Sequence, residues 1–207
     1  MDANTVATLY GIAALAGILI LIWFGFMYVA SRLSAGVAES YGHLRARLSP
    51  LALTGAWGVA LLAAAGSLYF SEVANWLPCT LCWYQRIAMY PLVLILGIAA
   101  FRRDVAIRIY VIPLASVGAA IAAYHYLLEW FPEIDTGACS AVIPCTQVWF
   151  REFGFVSLPL LALIAFGLVI TFLLIPSRAT DDDPSDEIAE EDGDEEDPAD
   201  PVTDTAG

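Results

Sequence analysis

Two cysteines separated by two residues, Cys79 and Cys82, stand where a hydrophobic segment of the chain begins. At a helix N-terminus such a pair lies about one turn apart, and the helix dipole and unpaired N–H groups stabilise a thiolate there. Arg86 follows four residues after Cys82, so the spacing predicts all three side chains along one helical face. We expect this fixed charge to depress the pKa of Cys82, which makes redox chemistry the first hypothesis.

A second pair, Cys139 and Cys145, completes the set of four cysteines. Two local disulfides are the simplest pairing, although four cysteines allow three connectivities. A zinc site is the alternative, but Cys-x2-Cys followed by Cys-x5-Cys is loosely spaced, and an oxidising compartment favours disulfides over zinc. We therefore expect no metal. Covalent haem attachment requires His after the second cysteine, where this chain has Trp83.

The elements that must position these cysteines are membrane helices. Hydrophobic residues make up 59% of the 207 residues and the mean hydropathy is +0.71, whereas soluble domains average about 45–50% apolar residues. About 20 apolar residues cross a bilayer as helix, and five segments have that character: Val6–Ala30, Leu51–Phe70, Trp83–Phe101, Ile109–Leu128 and Ser157–Ile175. The fold class expected is an all-α integral membrane protein, a four-helix transmembrane bundle with one extra N-terminal transmembrane helix.

The chain divides accordingly into four parts. We expect the extra N-terminal transmembrane helix in residues 1–34, a cytoplasmic linker in 35–50, the four-helix redox bundle in 51–176 and a disordered acidic tail in 177–207. The first helix lacks the basic start of a signal peptide and is interpreted as retained. Within this tail, residues 181–207 hold 14 of the 22 acidic residues and no basic residue. The sequence has no basic patch of the kind that binds nucleic acid, so we expect no nucleic-acid partner.

Charge distribution predicts the topology, because short cytoplasmic loops collect arginine. One set of connections and termini contains seven arginines, whereas the two connections that carry the cysteines are acidic. The arginines are Arg32, Arg45, Arg47, Arg102, Arg103, Arg108 and Arg178. We therefore expect a multi-pass protein of the cell membrane with the N-terminus and both cysteine loops outside and the C-terminal tail in the cytoplasm. Trp76, Trp83, Trp130 and Trp149 would then form an aromatic belt near the outer surface.

The motif Pro-Cys-Thr-Leu-Cys-Trp-Tyr-Gln-Arg at residues 78–86, the later cysteine pair and the four surrounding spans resemble the DsbB/BdbC family of disulfide bond formation proteins. The resemblance covers about residues 51–176 and leaves the first helix and the tail outside. Vitamin K epoxide reductases resemble the same design, but their loop pair precedes the Cys-x-x-Cys. The order found here favours the DsbB type.

The resemblance implies an enzyme, a quinone-dependent thiol oxidoreductase that reoxidises a soluble, extracytoplasmic thioredoxin-like (DsbA-like) disulfide donor. Cys139 and Cys145 would accept electrons from that partner, with Cys139 forming the mixed disulfide. Cys145 would exchange with Cys79, and Cys82 would face a membrane quinone of the ubiquinone or menaquinone type. The relay from DsbA through DsbB to quinone is a known example of how a periplasm is kept oxidising.

Two further residues have a role implied by the resemblance. Arg86 matches the family's quinone-contacting arginine, with a membrane-surface anchor as the alternative. His125 lies near the outward end of the fourth span, where the family has a histidine near the quinone; a packing role between helices is the equal alternative. Two other functions stay open at this point: a quinone reductase similar to vitamin K epoxide reductase, and a non-catalytic membrane subunit stapled by disulfides.

Overall fold

The computed structural model of the protein describes residues 2–137, 139 and 143–175. Five α-helices account for most of them: α1 (Ala3–Leu33), α2 (Ala35–Leu68), α3 (Thr80–Arg102), α4 (Arg108–Trp130) and α5 (Leu158–Leu173). A π-helix at Tyr69–Val73 extends α2, and a 3-10 helix at Pro132–Ile134 follows α4. Within the described residues the only β-pairing is an isolated bridge between Glu152 and Val156. The predicted all-α class is confirmed, and the tail 177–207 lies outside the described residues.

Four of these helices are long and apolar enough to cross a membrane: α1, α2 with its π-helical extension, α3 and α4. The fifth, α5, is apolar but has only 16 residues. Large hydrophobic side chains point outward along the bundle, as Phe26, Leu94 and Phe101 illustrate, because the solvent around them is lipid. The chain is a multi-pass membrane protein.

The second span is much longer than a bilayer requires. Residues Ala35–Val73 form 39 residues of continuous helix, about 58 Å at 1.5 Å per residue, against about 30 Å of hydrocarbon. Residues 35–50, the predicted linker, are therefore a helical extension of the second span. Pro50 lies inside this helix, close to the predicted start of the span.

Small residues allow the bundle helices to approach closely. Ala56 and Ala60 of α2 are fully buried in the main core, against α3, α4 and α5. In α4, a Cβ added to Gly118 would lie 2.3 Å from Cζ of Phe166, a fully buried ring of α5. Only glycine fits at that crossing, as in other membrane helix interfaces where backbones come near a neighbour.

The extra helix α1 packs against α2 and α5. Its buried face consists of small residues at helical spacing, Ala7, Gly11, Ala14 and Gly17. A Cβ at Gly17 would lie 2.7 Å from Cγ2 of Ile164 in α5, so this face is in close contact.

The N-terminus of α1 and the cysteine segments lie at the same end of the bundle. Val6 and Ala7 pack with Phe70, Trp76 and Phe150 in one buried cluster. The rings of Phe70 and Trp76 stack with centroids 4.8 Å apart. We call this the redox end. Because α3 begins here, the arginines at the C-terminus of α3 lie at the opposite end.

Candidate redox site

Helix α3 begins at the first cysteine of the motif. Cys79 is the N-cap, with an extended backbone (φ −74°, ψ 175°), and its Sγ accepts the backbone N–H of Cys82 at 3.4 Å. A side-chain acceptor at the N-cap satisfies one of the unpaired N–H groups of the first turn. Both cysteines are free thiols, and their Sγ atoms lie 3.1 Å apart.

His125 of α4 lies directly beside this pair. Its ring is 3% exposed, and Nε2 lies 3.6 Å from Sγ of Cys79 and 3.1 Å from the carbonyl oxygen of Cys145. On its other side, Nδ1 lies 3.0 Å from Nε2 of Gln85. A carbonyl only accepts and an amide nitrogen only donates, so this arrangement places the imidazole proton on Nε2. His125 thus contacts both cysteine pairs.

The contacts around Cys79 stabilise its thiolate. They lower the pKa of Cys79, and the largest cause is the hydrogen bond with the Cys82 side chain. Burial opposes this effect, and the hydrogen bond from His125 lowers the pKa further. From the sequence, Cys82 was the expected thiolate, because Arg86 lies one turn away. In the folded reduced pair, the hydrogen-bond donors converge on Cys79 instead.

The second pair forms a disulfide between Cys139 and Cys145, with Cα atoms 5.7 Å apart. Cys145 is 2% exposed and packs in one apolar cluster with Cys79, Leu81 and Leu128, whereas Cys139 is only half-buried. Of the two local pairings expected from the sequence, the loop pair is therefore bridged and the helix pair is reduced. The more accessible sulfur of the bridge is that of Cys139.

A cavity of about 180 Å³ opens inside the bundle at the redox end. Its walls come from α1, α2, α3 and α5 together with the connections after α2 and before α5. They are mostly apolar, and Cys82, Gln85 and Arg86 are among the few polar residues. Cys79 does not line this space; it borders a smaller one shared with Cys82, His125 and Glu129. We call the larger space the bundle cavity.

Arg86 lies on the wall of the bundle cavity, one helical turn after Cys82. Its Nη2 donates to the carbonyl oxygen of Ser67 at 3.1 Å, and its guanidinium carbon lies 5.3 Å from the centre of the Trp83 ring. These contacts hold the charged group against α2 and α3, so the predicted alignment of Cys82 and Arg86 places both on one wall.

Cys79, Cys82 and His125 also meet the geometric condition for holding a metal ion, since their ligand atoms lie within 4.8 Å of one another. The sulfur separation of 3.1 Å is short for that purpose, because bonds of about 2.3 Å in a tetrahedral zinc site put two sulfurs about 3.8 Å apart. The geometry fits a dithiol better than a metal centre, and the absence of a metal stays a prediction.

Two contacts of the site were not predicted from the sequence. Gln85 lies inside the quoted motif, three residues after Cys82, and helical spacing alone would have placed it on the same face. Ser157 is fully buried and its hydroxyl donates to the carboxylate of Glu129. No sequence signal joins these two residues, because they come from α4 and from the segment before α5.

Comparison with known proteins identifies the family. The family described as "Disulfide bond formation protein DsbB" matches residues 46–176, which is more than half of the chain. The chain belongs to the DsbB family. The resemblance stated from the motif is thereby confirmed.

Relatives in this family are similar over nearly their whole length. "Disulfide bond formation protein C" of Bacillus subtilis is 50% identical over 124 residues, 59% of this chain and 90% of the relative. "Probable disulfide formation protein C 1" of Bacillus anthracis is 45% identical over 137 residues, 65% of this chain and 99% of the relative. A counterpart from Halalkalibacterium halodurans is 44% identical over 127 residues, 61% and 93%. No solved structure matches the chain.

Membership in the DsbB family makes this protein a membrane disulfide-generating oxidoreductase with a thiol–disulfide partner. DsbB-family proteins are in general linked to quinones.

Proposed function

We propose that this protein reoxidises a soluble, extracytoplasmic thioredoxin-like disulfide donor and passes the electrons through Cys79 and Cys82 to a membrane quinone. One observation supports this most strongly: only one thiol of the reduced pair reaches the bundle cavity. Both thiols border the smaller space and pack in the cluster that holds the bridged pair, but Cys82 alone also lines the bundle cavity, beside Arg86. That is the arrangement a relay between a protein thiol and a lipid-soluble acceptor requires.

The first exchange involves the Cys139–Cys145 disulfide. A thiolate of the reduced partner attacks Sγ of Cys139, the bond to Cys145 breaks, and Cys145 leaves as a thiolate. The partner's second thiol then attacks the mixed disulfide, which releases the oxidised partner and leaves Cys139 and Cys145 reduced. The half-buried position of Cys139 against the 2% exposure of Cys145 supports this order of attack.

The second exchange moves the electron pair into the bundle. The Cys145 thiolate attacks Sγ of Cys79 in an oxidised Cys79–Cys82 pair, and Cys82 leaves; Cys139 then attacks Cys145, which restores the loop disulfide and releases Cys79. His125 donates toward both the Cys145 carbonyl and Cys79, so it positions the reacting segments and stabilises the released Cys79 thiolate. The free Cys79 and Cys82 thiols and the bridged loop pair are the cysteine states that this exchange would leave.

In the third step, the Cys79 and Cys82 dithiol is oxidised. A quinone takes up two electrons and two protons and leaves as a quinol, while Cys79 and Cys82 form a disulfide. Cys82 makes the contact from the cavity wall, and Arg86 stabilises the negative charge that develops on the acceptor. Stabilisation of the Cys79 thiolate favours the reduced pair, so it helps electrons leave the loop pair.

The bundle cavity fits the head group of such an acceptor. Binding pockets for whole drug-sized molecules run to about 300–1,000 Å³, and a cavity of about 150 Å³ is enough for benzene. A volume of about 180 Å³ therefore suits a ring system and leaves an isoprenoid tail to the surrounding lipid. Apolar walls with few polar groups are typical of cofactor sites.

The charge distribution supports an orientation with the redox end outside the cell. The N-terminus of α1 and both cysteine pairs share that end. Arg32 lies at the C-terminus of α1, and Arg45 reaches the backbone of Leu174 after α5, so arginines gather at the opposite end. Under the positive-inside rule that end is cytoplasmic.

The proposal is tested with the purified full-length protein, a reduced thioredoxin-like oxidase and a soluble quinone. We expect catalytic oxidation of the partner with stoichiometric quinone loss. Cys139→Ser should abolish the reaction with the partner. Cys82→Ser should still let one equivalent of partner react with the loop disulfide but stop quinone reduction. Turnover that persists in Cys82→Ser, or quinone loss without partner oxidation, would contradict the proposed path.

A further inference from the structure

We propose that the extra helix α1 forms one wall of the quinone site and that Tyr10 and Ala13 determine which ring systems it accepts. This inference rests on the proposed function and goes beyond it, because it gives α1 a part in acceptor selection. Helix α1 ends at Leu33, before the DsbB match begins at residue 46. Its contribution therefore comes from outside the segment that defines the family.

Helix α1 meets the bundle cavity near its N-terminus. Tyr10, Ala13 and Ala14 line the same space as Cys82 and Arg86. The helix α4, which supplies His125, contributes no residue to these walls. An acceptor next to Cys82 therefore has α1 on one side of it and α3 on another.

Tyr10 is held in place by contacts with the second span. Its hydroxyl donates to the carbonyl oxygen of Leu62 in α2 at 3.0 Å, and its ring meets Phe70 edge-on with centroids 5.7 Å apart. The ring also lies so close to Gly66 that an added Cβ there would be 2.5 Å from Cζ of Tyr10. These contacts fix the ring between α1 and α2, so Tyr10 is a rigid part of the wall.

Helix α1 itself packs closely against its neighbours. The small-residue face of Gly11, Ala14 and Gly17 lies against the Glu152 turn and against Ile164 and Leu168 of α5. Ala14 is both part of this contact and part of the cavity wall. Because the seat and the wall share a residue, the helix cannot withdraw without opening the cavity.

The size of the bundle cavity limits which ring systems fit inside it. With about 180 Å³ available, the space is near the size of one or two rings, so a few carbon atoms change which ring system fits. Small differences in an apolar pocket discriminate ligands by about 10- to 200-fold per methylene group. Ala13 presents only a methyl group at this wall, and Tyr10 is the largest α1 side chain there. The ligand class is a quinone with one ring or two fused rings.

Matched substitutions on the same helix test the inference. Ala13 and Ala16 are both exposed on α1, but only Ala13 lines the bundle cavity, so Ala13→Leu adds bulk at the cavity wall and Ala16→Leu adds the same bulk outside the cavity. Tyr10→Ala removes bulk, and Tyr10→Phe keeps the ring. The measurement is the apparent KM for a soluble one-ring benzoquinone and a soluble fused-ring naphthoquinone at saturating partner.

We expect Ala13→Leu to raise the KM of the naphthoquinone at least about tenfold more than that of the benzoquinone, and Ala16→Leu to leave both values unchanged. Tyr10→Ala should reduce the discrimination, and Tyr10→Phe, which keeps the ring but loses the hydrogen bond to Leu62, should keep more of the discrimination than Tyr10→Ala. Oxidation of one equivalent of partner by the loop disulfide, measured without quinone, should be normal in all four variants and confirms that each is folded.

The inference is overturned if the wild type turns over both quinones and the ratio of the two KM values is the same in Ala13→Leu, Tyr10→Ala and Ala16→Leu. A wild type that reduces neither quinone contradicts the proposed function instead. Quinone protection of the protein against thermal unfolding gives a second readout: Ala13→Leu should lose protection by naphthoquinone while keeping protection by benzoquinone.

Discussion

The side-chain amide nitrogen of Gln85 lies 3.0 Å from Nδ1 of His125, and both side chains are buried. This contact between α3 and α4 fixes the imidazole so that Nε2 carries the proton and faces Cys79 and the Cys145 carbonyl. Histidine tautomers are commonly set in this way by the partner of the other ring nitrogen. Gln85 is thus a positioning residue that acts through His125.

Replacing Gln85 with Met should loosen this arrangement. The buried Nδ1 would lose its donor, which costs about 1–3 kcal/mol of stability, and donation from Nε2 to Cys79 would no longer be enforced. Because that hydrogen bond lowers the pKa of Cys79, we expect the pKa to rise. The measurement is the pH dependence of Cys79 alkylation in the reduced protein. In a His125→Phe background the Gln85 substitution should have no further effect on this midpoint, and a full additive shift would contradict the positioning role.

The alkylation profile of Cys79 in the unmodified protein is itself predicted. The thiolate is the reactive form, and an ordinary cysteine has a pKa near 8.5. Since the folded structure lowers the pKa of Cys79, reactivity should persist at lower pH, with a midpoint below that of an ordinary thiol. His125→Phe should move the midpoint upward. The alkylated residue is identified by peptide mass spectrometry, and the unfolded protein serves as the reference. A midpoint equal to the unfolded one would show that the thiolate is not stabilised.

Arg86→Met should weaken quinone binding. A hydrogen bond to a charged group contributes about 1.5–3 kcal/mol, so we expect the apparent KM for quinone to rise at least about tenfold. Arg151→Met is the matched control, because Arg151 stacks on Trp130 with its guanidinium carbon 4.3 Å from the ring centre and does not line the bundle cavity. An equal effect of the two substitutions would indicate a general effect of charge at this end of the bundle.

Gly118→Ala should destabilise the bundle. The new Cβ would lie 2.3 Å from the Phe166 ring, and overpacking of this kind costs about 1–3 kcal/mol. Gly58→Ala in α2 is the control, because an added Cβ there meets nothing within 4 Å, and alanine favours a helix interior over glycine. Thermal unfolding in detergent gives the comparison. Phe166→Leu should restore part of the loss caused by Gly118→Ala; if it does not, the clash with this ring is not the cause.

Much of this architecture could be predicted from the sequence. Each of the five apolar segments falls on one of the five helices, because the apolar length of a span follows bilayer thickness, although α2 begins 16 residues before its predicted segment. The placement of Cys79 and Cys82 at a helix N-terminus follows from the motif, since Cys79 itself caps the helix. The family was indicated by the same residues.

The remaining features depend on contacts between distant segments. Part of the stabilisation of the Cys79 thiolate comes from His125, which is 46 residues from Cys79. The seat of α1 depends on Ile164 and Leu168, which are unrelated to α1 by any sequence pattern. Local periodicity identifies the helices and their faces, but it does not say which faces meet.

The access of Cys82, but not Cys79, to the bundle cavity has a consequence for side reactions. Under the proposed function, a small extracellular thiol that reduces the half-buried side of the loop bridge would gain no direct route to a quinone, and a quinol would have no direct route back to the loop. Electrons would then pass between the aqueous and the lipid compartments only by exchange at one buried dithiol. On that path the dithiol would insulate the oxidation of the protein partner from direct reaction with the quinol.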